Sequence, residues 1–359
     1  MDRKNKNADP KKLTEFAAKV LQKLDVPEKE AYITARLLVA TDLRGIESHG
    51  VAHLAPFYVR RLKEKLINPR ANIKLRSHTA STAVMDGDRG LGFVVAHRAM
   101  LEAMDRAATT GAGFVSVRNS THCGAGSIYA IMALSRNMIG ISLTTGGIGM
   151  EVPGSRGPGS GINVISFAAP AAKEAPFVLD MATTIVAGGK LELALREGQN
   201  IPAGWAADRS GEPITEPKKF YTGKGALLPL GGIPGLGSYK GFGLGVMVEI
   251  LCSILSGTLS ITQIADQPDS EGRANQFFGA LRIDSFLPVD DFKKSMDQMI
   301  EAYHALPKAK GVERIYLAGE LEAALEKERV EKGIPLHLSV IDSLQKLAKE
   351  LGLEFDVLI

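Results

Sequence analysis

The chain has 359 residues, 45% of them hydrophobic and 23% charged, with 43 Lys and Arg against 40 Asp and Glu. That length exceeds what one hydrophobic core usually organises, so two lobes are expected, and the composition excludes a disordered or fibrous chain. Basic residues alternate with acids, as in RRLKEK and LEKERVEK, which argues against a nucleic-acid partner or an anionic membrane surface.

In chain order, residues 1–10 read as a disordered polar tail with no apolar run of the kind a signal peptide needs. Leu13, Phe16, Ala17, Val20, Leu21 and Leu24 follow the spacing of an amphipathic helix. Pro27 can open a second helix running to about Asp42, and a third is expected over Pro56 to Leu66. From Ile73 the texture alternates and predicts two strands and a turn. Further on, helices are expected at Gly92–Thr110, Ala125–Arg136 and Ala187–Arg196, and strands at Phe114–Arg118, Met138–Thr145, Ile162–Ala169, Phe177–Met181 and Gln276–Ile283. A glycine-dense loop separates Gly146 from Gly161. The passage Gly198–Tyr239 is too long for an idle connection. Leu244–Leu255 is the longest apolar stretch; it contains Glu249, is too short to span a bilayer, and reads as part of a buried helix over Gly241–Leu255. Amphipathic helices close the chain near Asp290–Ala305, Glu320–Lys332 and Ser339–Gly352. The organisation expected is a helical lobe from 11–72 with 290–359, and a sheet lobe over 73–289. Cys123 and Cys252 stand far apart, which excludes a disulfide framework and suits a reducing, cytoplasmic setting.

The familiar nucleotide motifs fail. The turn Asn119-Ser-Thr-His-Cys-Gly-Ala-Gly126 lacks the third glycine of GxGxxG, and no acid follows the next strand. Lys240 is followed by Gly241, so a phosphate-binding Walker loop is excluded too. Any dinucleotide is bound by another architecture.

Chemistry concentrates in Asp42-Leu-Arg-Gly-Ile-Glu-Ser-His-Gly-Val-Ala-His53. Arg44 offers a planar fork of donors that fits a carboxylate, and His49 can pass a proton to a carbonyl oxygen near neutral pH. The competing reading pairs Asp42 with Arg44 and makes Ser48 a helix cap. His49 and His53 have the i, i+4 spacing of metal ligands, but Gly50 replaces the glutamate of HExxH and no third ligand is apparent; no metal is expected. His122 sits in a loop between strand and helix, as a site residue or a cap. Asp180 ends an apolar strand, where a carboxylate must be paired; it could orient an imidazole, contact a ribose or cap the next helix. Lys240 could neutralise a phosphate. His78, His97, His304 and His337 stand singly and read as structural.

DLRGIESHGV, NSTHCGAGSIYA, FVLDMATT followed by Gly189-Lys190, and GSYKGFGLGVMVEILCSILSG together resemble the malate/L-lactate dehydrogenase family of the second type. That family includes sulfolactate and ureidoglycolate dehydrogenases and diketogulonate reductase, and the similarity runs from about residue 13 to 350. It implies a homodimer with a mixed α/β fold: a non-Rossmann, largely antiparallel sheet lobe and a helical lobe formed by both termini. The reaction implied is hydride transfer between NAD or NADP and C2 of a small 2-hydroxy or 2-oxo acid, malate or lactate first. His49 with Ser48 matches the proton donor, His122 a second active-site histidine, and Arg44 a residue near the substrate carboxylate. Cofactor contacts map to Val178, Leu179, Asp180, Met181, Ala182, Thr183 and Thr184, to Tyr239 and Lys240, and to Gly319 and Glu320. Asn163 is kept from a family Gly-Thr-Asn-Pro segment that here reads Gly161-Ile162-Asn163-Val164. Thr144-Thr145-Gly146 departs from Thr-Asn-Ser, and His53 stands where arginine is common. A cyclic imine or sugar-derived keto acid is the alternative substrate; a metal- or serine-dependent hydrolase is the rival from another class.

Overall fold

The computed structural model describes residues 5–77, 79–264, 267 and 270–359. His78 and residues 1–4 therefore lie outside the described residues. The chain starts with strand β1 (Asn5–Ala8) and helices α1 (Pro10–Gln22) and α2 (Glu28–Leu43). Residues 5–10 correct the expectation of a disordered tail, because β1 pairs antiparallel with Ile334–His337. Asp9 then caps α1 by accepting the Lys12 N–H at 2.8 Å, with Pro10 at the first turn where its missing N–H costs nothing.

The single helix expected from Pro56 to Leu66 is instead a chain of tighter and wider turns. Residues 47–49 and 51–53 form 3₁₀ turns, 54–59 a π-helical turn, and only Arg60–Lys63 (α3) is α-helical. Pro56 has no N–H for an α-helical ladder, and single π turns recur at functional sites.

The middle of the chain holds β2 (Lys74–Ser77), β3 (Thr82–Asp86), α4 (Gly92–Thr110), β4 (Ala112–Thr121) and α5 (Ser127–Ala130). Next come β5 (Met138–Thr144), β6 (Ile148–Glu151), β7 (Pro158–Gly161), β8 (Val164–Ala169), β9 (Phe177–Ala182) and α6 (Gly188–Glu197). Short β10 (Ala206–Ala207), α7 (Pro217–Thr222) and β11 (Ala226–Leu227) follow, then α8 (Ser238–Glu249), α9 (Ile261–Ile264) and β12 (Arg273–Arg282). The chain closes with α10 (Val289–His304), α11 (Glu320–Lys332), β13 (Ile334–His337) and α12 (Leu338–Leu351).

The main sheet has seven strands in the order β2-β3-β4-β12-β5-β8-β9. Only β3 and β4 run parallel; every other neighbouring pair is antiparallel. A Rossmann sheet needs a run of parallel strands, so the fold is mixed and non-Rossmann. A second sheet, β10-β11-β6-β7, is built from segments that read as loops. The glycine-dense stretch 146–161 supplies β6 and β7, and the passage 198–239 supplies β10 and β11. Their glycines and prolines hide short strands that carry no alternation long enough to detect.

Helix α4 packs Phe93, Ala96, Met100 and Ala103 into one core with Val115, Val117 and Phe278 of the sheet. Leu13 and Leu21 of α1, Leu38 of α2, and Leu344 and Leu347 of α12 join the same core, so helices from both ends share it. Helix α8 is not buried all round as its apolar sequence suggested. Gly241, Gly245 and Val248 face inward, whereas Tyr239 and Met247, with Ile250 (53% exposed) and Ile254 (55% exposed) of the π-helical turn Ile250–Ile254 that continues the helix, are exposed.

Gly92 fuses the start of α4 to the end of β4. A Cβ there would lie 2.1 Å from the Thr121 carbonyl oxygen and 2.4 Å from that of His122. The Gly92 N–H also donates to Thr121 Oγ1 at 2.9 Å. Gly92→Ala is expected to cost about 3 kcal/mol of stability through overpacking against backbone that cannot retreat. Urea denaturation monitored by circular dichroism checks it; an unchanged midpoint would mean that this junction is soft.

Candidate active site

The segment that leaves α2 is closed by a buried carboxylate. Asp42 accepts the Val51 N–H at 2.8 Å, and Gly50 lies so close that a Cβ would fall 2.0 Å from the same carboxylate. The loop 43–50 is thereby forced out, carrying Ser48 and His49. Helix α11 clasps it from behind. Arg329 donates to the Asp42 carbonyl and to Glu47, both at 2.6 Å, and Leu325 packs where Gly45 has no side chain.

Arg44 belongs to that clasp. It is buried and ion-paired with Glu326 at 2.8 Å, on the α11 side of the loop. The pair occupies one nitrogen of the fork expected to clamp a substrate carboxylate, and Nε is buried without a partner. Asp42 does not pair with Arg44, and Ser48 caps no helix. Ser48 Oγ instead lies 2.8 Å from His49 Nδ1.

Three imidazoles meet beyond the loop. The rings of His49 and His122 stack at 5.5 Å between centroids, and His53 lies edge-on at 5.9 Å from the first and 6.1 Å from the second. His122 enters from the turn after β4. Its Nδ1 receives the Tyr58 hydroxyl at 2.7 Å and the Gly124 backbone N–H at 3.3 Å. An N–H can only donate, so Nδ1 is an acceptor and the proton of the neutral ring sits on Nε2. Burial holds all three imidazoles below their ordinary pKa: His122 well below, His53 down to about 4, and His49 below, with the Asp180 charge pulling the other way. The cluster is uncharged at neutral pH.

Asp180, on β9, accepts the Ser166 hydroxyl at 2.7 Å and the Ser127 N–H at 2.8 Å. Both bonds hold its side chain in place near His49 and Cys123, on which its charge acts; burial pushes the Cys123 thiol up to about 12. Gly189, at the start of α6, closes on Ser48 so tightly that a Cβ would lie 2.8 Å from the serine Cβ. Four expected residues, Ser48, His49, His122 and Asp180, thus come together.

The remaining expected residues divide. Val178, Leu179, Met181 and Ala182 lie on β9, the last strand of the sheet, and Val178 N–H reaches the Ala318 carbonyl. Gly319 (φ +94°) touches Val178, where a Cβ would lie 2.7 Å from the valine Cβ. Glu320 is buried and already engaged by the Leu317 N–H, Arg314 and His304. Thr183 and Thr184 are buried; Thr184 donates to the Val186 carbonyl. Asn163 is fully buried, accepting Gly146 N–H and donating to the Gly245 carbonyl and Glu249, so it ties the loop to α8. Tyr239 and Lys240 stand exposed at the opening of α8.

Sequence reasoning missed Tyr58 and Phe57. Tyr58 is fully buried with its hydroxyl on His122, and Phe57 packs 4.9 Å from His122 and 5.5 Å from His53. No local signal could find them, because the partner lies 64 residues away. Among the described residues, a set with metal-ligand spacing occurs at Glu174, His304 and Glu320, and not at His49 and His53.

A carboxylate beside neutral, partly tautomer-locked imidazoles, set on a non-Rossmann mixed sheet, defines a proton-transfer site. A profile of the malate/L-lactate dehydrogenase family matches residues 8–345. The chain is 41% identical to malate dehydrogenase of Pyrococcus horikoshii over 96% of its own length and 95% of that protein. It is 35% identical to L-sulfolactate dehydrogenase of Methanocaldococcus jannaschii, covering 94% and 95% of the two chains. The crystal structure of malate dehydrogenase from Entamoeba histolytica superposes with a TM-score of 0.94 at 31% identity, over 98% of this chain and 99% of that one. The chain belongs to the malate/L-lactate dehydrogenase family and is an enzyme of that type; the hydrolase reading gives way to it.

The buried Asp42 makes stability depend on pH. Burial raises its carboxyl to about 8 in the folded protein. A raised acid contributes stability at low pH that is lost as pH climbs through the folded value. Stability is expected to decline between the ordinary carboxylate range and pH 8. Asp42→Asn, which keeps an acceptor for Val51, should flatten that part of the curve in urea titrations. A decline of the same slope in the variant would assign it to other groups.

Proposed function

We propose that the protein transfers a hydride between a nicotinamide dinucleotide, NAD or NADP, and C2 of a small 2-hydroxy or 2-oxo acid, malate first. The observation that carries this reading is the division of labour between the two stacked imidazoles. His122 is locked with its proton on Nε2, so it is a fixed hydrogen-bond donor to the substrate oxygen and not a base. His49, held by a serine hydroxyl that can donate or accept, is free to change tautomer and charge. The Asp180 carboxylate favours its imidazolium form. His49 is thus the group that takes the hydroxyl proton in oxidation and returns it in reduction.

The cofactor, when bound, supplies or accepts the hydride. The residues present fit a dinucleotide. As the last strand of the sheet, β9 offers backbone groups free of a strand partner on its outer side, with Gly319 closing on it. Lys240 forms no ion pair among the described residues and suits a phosphate, with the exposed Tyr239 ring beside it. Val178 to Thr184, Tyr239, Lys240, Gly319 and Glu320 would hold it, and Asn163 would act indirectly through the loop it anchors.

The exposed apolar residues of α8 and of the turn that continues it support a homodimer, since a run of Met247, Ile250, Ile254 and Leu255 left in water is costly and characteristic of an interface. Cys123 and Cys252 are both free and buried, in keeping with a cytoplasmic protein. No described helix is long and apolar enough to cross a membrane.

Absorbance at 340 nm with NADH or NADPH against oxaloacetate, pyruvate, sulfopyruvate and a cyclic imine tests the reading. Turnover with one acid is expected. His49→Ala should lower kcat by about 10²–10⁴-fold with folding retained. In the oxidation direction activity fails as pH drops through the His49 pKa, and Asp180→Asn should move that limb to lower pH by removing the charge that raises it. Silence across the panel together with no binding of either nucleotide would sink the proposal.

A further inference from the structure

Of the three clustered imidazoles, two are hydrogen-bonded by described residues and one is not. His49 has Ser48 on one nitrogen, and His122 has Tyr58 and Gly124 on one nitrogen. No described residue hydrogen-bonds His53, and its Nδ1 is shut away from solvent without a partner. A polar ring half-buried with no partner costs stability unless a ligand completes it. The ring is held in place by packing alone, against Phe57, His49 and His122.

The site also lacks a presented cation. Arg44 pairs through Nη1 with Glu326 of α11, its Nε buried without a partner. The guanidinium that acts on both His53 and His122 is Arg61, which lies 3.2 Å over the Phe57 ring. Arg61 is buried, pairs at 3.1 Å with the half-exposed Glu271, and keeps Nε and Nη1 without partners. Its field reaches the cluster, and the Phe57 ring on which it lies packs against both His53 and His122. An acid entering here meets positive potential from Arg61 and, on this chain, one uncommitted donor ring.

Resting on the hydroxy-acid reading above, we propose that His53 receives the substrate carboxylate and takes up a proton from solvent as the acid binds, so that the enzyme selects its acid with an imidazolium. The charged and titratable groups that act on His53 are His49, His122 and Arg61; none is an anion, and the nearby Asp180 acts on His49. In the empty site this environment keeps His53 neutral. An anion laid against the ring reverses the balance, because it is the opposite charge that the cluster lacks. Binding coupled to proton uptake weakens as pH rises, by no more than tenfold per pH unit for a single proton. A permanent cation at position 53 abolishes that slope.

The test uses the dehydrogenase saturated with nucleotide and oxalate as a non-reacting 2-oxo-acid mimic. Calorimetric titration at pH 6.5 in two buffers of different ionisation enthalpy counts protons directly. The wild-type protein is expected to take up a substantial fraction of one proton, with affinity falling toward pH 8. His53→Arg should bind oxalate with no uptake and little pH dependence. His53→Gln should raise the KM for the acid turned over by about 10–100-fold, the worth of a charge-assisted hydrogen bond, with a much smaller change in kcat. Circular dichroism confirms that each variant is folded. If the enzyme turns over a 2-oxo acid while oxalate binds without proton uptake, or binds His53→Gln as tightly as wild type, this inference is wrong and the functional reading stands. If no acid is turned over and oxalate does not bind, both fall together.

Discussion

The hydrogen bond between the Asp42 carboxylate and the Val51 N–H is the constraint on which the active site hangs. It joins the end of α2 to the start of the turns that carry His53, Phe57 and Tyr58, and it leaves no path for residues 43–50 except outward. Burying that carboxylate is unfavourable, as its raised pKa records. The surrounding contacts compensate: the Val51 donor, the nearby charge of Arg329, and a glycine at position 50 where any side chain would strike the carboxylate. The loop bearing Ser48 and His49 is therefore a protrusion held at both ends, with its shape set before any ligand arrives.

The clasp from α11 engages two charged residues of the most suggestive segment. Glu326 and Arg329 stand one turn apart on the same face of the helix, and they take Arg44 and Glu47 respectively. A terminal helix thus reads the active-site loop from behind. The partner of Arg44 could not be read from its neighbours, because it lies 282 residues away. Guanidinium chemistry is the same whether the carboxylate belongs to a substrate or to α11; only the partner decides.

What was legible in the sequence follows from range. The amphipathic period of α1 and the run of α4 are local patterns, and they appear where expected because burial of one face is enforced by the 3.6-residue repeat. Ser48, His49, His122 and Asp180 stood out because such groups beside glycines at element ends are chemically costly unless used. The second sheet was not legible, since β10 and β11 are two residues long and owe their existence to partners far along the chain. The outer face of α8 was not legible either. An apolar helix looks the same in sequence whether it is covered by its own chain or by another.

The three imidazoles of the site are neutral and largely buried, and that makes its chemistry depend on hydrogen-bond direction as much as on charge. Two backbone N–H groups do the directing: Gly124 fixes the tautomer of His122, and Ser127 orients the Asp180 side chain. Neither is lost by a substitution at its own position other than to proline, unlike the Tyr58 hydroxyl that shares the first task. Gly124 adopts φ +75° and lies against Phe93 of the core helix α4, with 2.6 Å from its would-be Cβ to the ring. The residue that selects the proton's place on His122 is therefore the one that seals the turn to the core. The tautomer is a consequence of folding, fixed by packing between α4 and the β4–α5 turn before substrate or cofactor is present.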